Sequence, residues 1–207
     1  MANIDAPFGL RPVGELGSSI QNGGTTKYRI ADNQTGAIYK GDPVFVGDAS
    51  KAGAAVTPAA GYIASAAAGN ICCVGVFNGC FYIDPTTKKP TWSNYYPGAV
   101  NITQGTIDAF VYDDPNKLFE VQASGTLTYA TVVNNNIEML TYAAGATING
   151  QSKVELAASV TGSGATAQFV IIGLSEDPSN SDAASANSNW IVRFNEHRYL
   201  RTAHTFS

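Results

Sequence analysis

Apolar and polar residues alternate with a period near two in the clearest stretches of this chain. In "NWIVRFNEHRYL" (189–200), Trp190, Val192 and Phe194 alternate with Ile191, Arg193 and Asn195. That pattern predicts a half-buried closing strand with the first set inward. "TIDAFVYDD" (106–114) and "KLFEVQASG" (117–125) read as two further strands. In the second, Phe119 and Val121 share one face, and Glu120 and Gln122 the other. The "DDPN" between them has the chemistry of a tight turn, which predicts a hairpin. Other strands are expected at 26–31, 37–48, 53–60, 154–160 and 166–175, with a turn or bulge at Gly41-Asp42-Pro43. "NICCVGVFNGCFYID" (70–84) is largely apolar and β-like, and its Gly75 and Gly79 predict a bulge or a close backbone approach. Residues 85–98 and 176–189 read as loops, and 126–145 suits either a strand with loops or a short helix. No segment of about 12 residues combines helix caps with a 3.6-residue period. The chain is therefore expected to be all-β, a β-sandwich or β-barrel of jelly-roll type over residues 26–200, with a soft junction near 98–105 and a short tail at 201–207.

Residues 1–25 break this pattern and are expected to form an extended N-terminal arm. Within "PFGLRPV", Pro7 and Pro12 fix φ, remove two donors and push their predecessors toward extended geometry. A helix or a central strand is disfavoured. Phe8, Leu10 and Val13 need a surface to bury against, either on the arm's own domain or on a neighbouring subunit. If the second holds, deleting 1–13 leaves the β domain folded and weakens assembly. The arm does not read as a secretory leader, since it has no basic start and no apolar run of about 7–15 residues.

Composition sharpens this picture. Hydrophobic residues make up 44%, enough for a sizeable core, but charged residues only 14%, against a usual share of about 25%. Gly, Ala, Ser, Thr and Asn fill the gap, a balance that suits packed surfaces in an assembly. The net charge of -4 argues against a nucleic-acid partner. No run of about 18 apolar residues predicts a membrane helix. Cys72, Cys73 and Cys80 have no metal spacing and apolar flanks, so they read as reduced, buried thiols.

Catalytic chemistry finds little footing. Asp113 and Asp114 sit in turn context, which outweighs a cation site. "TGSGATA" (161–167) lacks the Lys-Ser/Thr of a phosphate loop. His197 and His204 have no nucleophile elbow beside them. No catalytic residue, metal ligand or cofactor is expected. The aromatic stretch with Trp92, Tyr95 and Tyr96 has two readings: interface anchors, which the low charge favours, or a platform for sugar rings.

Five stretches together resemble the capsid decoration (cement) and virion structural proteins of tailed bacteriophages, especially short-tailed phages of aquatic bacteria. They are "ANIDAPFGLRPVG" (2–14), "IYKGDPVFV" (38–46), "VGVFNGCFYID" (74–84), "FVYDDPNKLFEVQ" (110–122) and "NWIVRFNEHRY" (189–199). The resemblance implies a non-enzymatic β-rich subunit on the outer surface of a phage head, with the major capsid protein as partner. Self-association is expected with it, a homotrimer before a dimer. Pro7, Phe8, Leu10, Arg11 and Pro12 would then act as a clamp, with Trp92, Tyr95 and Tyr96 as further anchors. A neck or tail component of the same virion and a carbohydrate-binding module are the alternatives.

Overall fold

The computed structural model describes residues 3–17, 23–31, 34–46, 62–65, 73–100, 105–140, 145–161, 167–178, 180, 182 and 184–200. The strand expected at 53–60, Cys72, "TGSGATA" beyond Thr161 and Ala167, and the 201–207 tail with His204 lie outside these residues. The strands are β1 (Arg11–Glu15), β2 (Thr26–Ile30), β3 (Pro43–Val46), β4 (Ile63–Ser65), β5 (Gly75–Ile83), β6 (Pro90–Ser93), β7 (Ile107–Tyr112) and β8 (Lys117–Gln122). A single helical turn, α1 (Tyr129–Val132), precedes β9 (Asn136–Met139), β10 (Gly145–Ala146), β11 (Gln151–Ser152), β12 (Leu156–Val160), β13 (Phe169–Leu174) and β14 (Asn189–Phe194). The fold is all-β, and every pairing between these strands is antiparallel.

Two six-stranded sheets carry the architecture. One runs β1-β8-β14-β13-β9-β12. The other runs β2-β7-β5-β3-β4, with β6 on β5 beside β3. Isolated bridges also join Arg29 of β2 to Tyr62, next to β4, and Ala123, next to β8, to Leu156 of β12. The passage between sheets corrects the sequence reading. β7 pairs with β2 and β5, and β8 with β1 and β14, so 113–116 is a crossover and not a hairpin turn. The turn chemistry is nonetheless present: Asp114 accepts from the Asn116 and Lys117 amides, at 2.8 and 3.1 Å. In the described part of 98–105 the Ala99 amide donates to the Gln34 carbonyl and Val100 is buried.

The apolar run 70–84 follows from this arrangement. Cys73 and Val76 point into the core of the first sheet, with Phe119, Phe169, Trp190 and Phe194. Val74, Phe77, Cys80 and Tyr82 point into a second core, with Ile38, Tyr96, Ile107 and Val111. Where a strand has a core on each face, its apolar residues need not alternate with polar ones. Both glycine expectations hold. The register shifts between Phe77 and Gly79, the mark of a bulge. At Gly75 a Cβ would run into the Tyr112 carbonyl of the neighbouring strand. Gly75→Ala is therefore expected to cost about 1–3 kcal/mol by overpacking, read as a lower urea midpoint with an unchanged slope. On β14, Trp190, Val192 and Phe194 are buried as the alternation requires.

The N-terminal segment folds back onto its own chain. β1 is an edge strand on β8, a place that tolerates Pro12.

Candidate functional site: an exposed aromatic strip

Among the described residues, one face of the second sheet packs at one end against the core of the first. Successive side chains on a strand alternate between faces, so Tyr112, Phe110 and Asp108 of β7 share a face. Tyr112 packs against the first sheet's core. Phe110 lies beyond that cover. Trp92 of β6 stands opposite Phe81 of β5, and its indole is 5.2 Å from the Phe110 ring. Gly79, opposite Phe110, lets the indole lie flat, since a Cβ there would sit 2.6 Å from Trp92 Cζ2. Trp92 is 51% exposed and Phe81 40%, so two large apolar groups stand side by side at the surface. Lys27 and Arg29 stand opposite Phe110 and Asp108 on β2, and Lys27 pairs with Asp108 at 3.2 Å. An aromatic centre with a charged rim is the anatomy of a protein interface.

Residues 85–98 are thus not a plain loop: Pro90–Ser93 forms β6, and Asp84 caps the turn before it by accepting from the Thr86 and Thr87 amides. The structure separates the three aromatics of this stretch. Trp92 faces out. Tyr95 is half-buried, stacked on Tyr39 with centroids 5.6 Å apart. Tyr96 is fully buried and donates its hydroxyl to the Gln34 carbonyl. Phe81 and Phe110, which complete the strip, were missed. Their signal was available, because each is an aromatic in the set that alternates with apolar neighbours, Cys80 and Tyr82 for Phe81, and Ala109 and Val111 for Phe110.

The N-terminal residues lie along β8, away from this strip. Leu10 is buried in the first sheet's core, and its amide donates to the Gly41 carbonyl. Arg11 pairs with Glu120, which also accepts from the Ser175 hydroxyl at 2.6 Å, and the guanidinium lies 4.8 Å from the Phe8 ring centre. Pro7, Phe8 and Pro12 are half-buried.

Several reactive side chains are held inside the fold. Burial pushes the Cys80 thiol up to about 12, leaving it protonated. Asp42 is buried; its Oδ2 accepts from the Tyr39 amide at 2.8 Å while Oδ1 has no hydrogen-bond partner. Burial outweighs the hydrogen bonds from Ser152 and Tyr39 and pushes this carboxyl up to about 6. His197 is buried beside the Phe194 and Tyr199 rings, and its Nδ1 accepts from the Tyr199 amide at 3.2 Å. Burial lowers its proton affinity although the Val74 backbone, Asp113 and Asp114 favour the charged form. Tyr28 contacts the Tyr199 hydroxyl at 2.6 Å and donates to Asp113 at 2.9 Å. Burial, then these two partners, raise its pKa. Among the described residues no three His, Cys, Asp or Glu side chains are grouped to hold a metal ion. No described helix is long and apolar enough to cross a membrane.

Comparison with protein-family models, with curated proteins and with solved structures finds no match for this chain.

Proposed function

We propose that this protein is a structural subunit that docks through the Trp92–Phe81–Phe110 strip onto the outer surface of a phage head, stabilising contacts between major capsid subunits. The observation that carries the docking role is the aromatic strip itself. Its rings are presented by three adjacent strands, so they lose little conformational freedom when covered, and Trp is the residue most often found to dominate binding. The identity of the partner rests on the sequence resemblance. A subunit of this kind binds only the assembled shell and therefore stabilises it by mass action.

The first test is the copy number of the protein in purified virions, measured against the major capsid protein by quantitative mass spectrometry. A ratio within about a few-fold of unity supports decoration of the whole head. A handful of copies moves the protein to the neck or tail, and absence from the particle sinks the structural reading. Trp92→Ala is expected to leave the fold intact and weaken shell binding by about 30-fold, the loss typical of a central anchor. Unchanged shell binding, with loss of binding on a glycan array, would assign the strip to sugars instead.

A further inference from the structure

We infer that the segment 3–16 is exchanged between copies of this chain, one copy's segment occupying the groove along β8 of its neighbour. This goes beyond the docking role and does not depend on what the aromatic strip binds.

The segment is read by side chains as a ligand is read. The Gln122 amide takes the backbone from both sides, accepting from the Ala6 N–H at 3.0 Å and donating to the Ile4 carbonyl at 3.0 Å. Gln151 donates to the Phe8 carbonyl at 3.4 Å. Leu10 fills the core. Arg11 and Glu15 then stand directly opposite Glu120 and Lys117, with the Lys117 Nζ 3.1 Å from the Glu15 carboxylate. Lys117, Glu120 and Gln122 are almost fully buried, which long polar side chains accept only when paired. The groove therefore demands an extended strand with an apolar residue, then a cation, then an anion four positions after the cation. This chain's own segment supplies that order, and so does the same segment of any other copy.

Contacts made in cis and in trans are the same, so only the connection and the local concentration choose between them. The connection is long for its task. The Leu16 amide bonds to Asn116, and the Thr26 hydroxyl bonds to Asp113, three residues away on one crossover. The ends to be joined are close, whereas the ten steps from residue 16 to 26 can reach about 35 Å. Pro12 discourages a further strand on the outer side of β1, so a neighbour enters by replacing β1.

Charge complementation tests this with full-length chains. Glu15→Lys and Lys117→Glu each set like charges in a buried site in cis. In a mixture, the E15K segment meets the K117E groove with opposite charges, and the K117E segment meets the E15K groove as in the wild type. Co-expressed variants are expected to give oligomers containing both chains, at least about 10-fold in excess of same-variant oligomers by native mass spectrometry. If neither variant folds alone, soluble protein appearing only on co-expression gives the same answer. The double variant E15K/K117E restores the pair within one chain and controls for folding. If that double variant folds while the co-expressed pair stays insoluble or monomeric, exchange is wrong. Oligomers whose yield ignores these charges overturn it equally.

Discussion

Deletion of residues 1–16 is expected to remove most of the protein's stability. The sequence alone suggested that an arm of this composition could be cut at residue 13 with the β domain intact. In the structure Leu10 is a core residue, 2% exposed and grouped with Phe119 and Trp190. Loss of a buried leucine costs about 3–5 kcal/mol. Glu15 and Lys117 form an ion pair with side chains 5% and 2% exposed. Removing one partner of such a pair costs about 3–5 kcal/mol where the other stays buried. Solvent reaching the opened groove reduces the second figure, but the sum still approaches the total of about 5–15 kcal/mol that holds a domain together. Urea unfolding of the truncated chain measures it. A midpoint near that of the full chain would mean that the segment only lies on the surface.

The second large effect is a stability that rises on mild acidification. Asp42 is buried, with its proton held up to about 6 against an ordinary value of 3.8. The folded state therefore binds this proton more tightly than the unfolded state. The stabilisation is full below 3.8 and is lost as pH rises through about 6. About two pH units correspond to about 3 kcal/mol. His197 acts in the opposite sense: its affinity is lowered, so its contribution is lost as pH falls below 6.5, its ordinary value. Asp42→Asn separates the two. An amide still accepts from Tyr39 and is neutral at every pH, so D42N is expected to be more stable than the wild type at pH 7.5 and to lose the gain on acidification. Denaturation midpoints at pH 7.5 and 4.5 for both proteins decide it. A wild type more stable than D42N at pH 7.5 would mean that the ionised carboxylate is favourable where it sits.

Much of the fold was legible because it depends on local periodicity. The inward set on β14 and the tight glycines of β5 follow from alternation and from the missing Cβ. The sheet membership of β7 and β8 was not legible, because a hairpin and a crossover use the same Asp-Asp-Pro-Asn chemistry and differ only in partners far away. The same holds for the arm. Arg11 finds Glu120 at a separation of 109 residues, which no window of sequence contains. At the aromatic stretch, "WSNYY" offers three rings with no period to rank them. Register does the ranking: Trp92 stands across from outward-facing Phe81, whereas Tyr96 bridges to Ile38 inside the core.

The edge position of β1 also governs how the molecule is made. A ribosome releases the chain from its N-terminus, and Glu120 follows Arg11 by 109 residues. At about 5–20 residues per second, the first strand emerges about 5–20 s before the strand it pairs with. During that interval the segment has no groove on its own chain to occupy, so in the exchange inferred above the order of birth, as well as concentration, sets which strand arrives first.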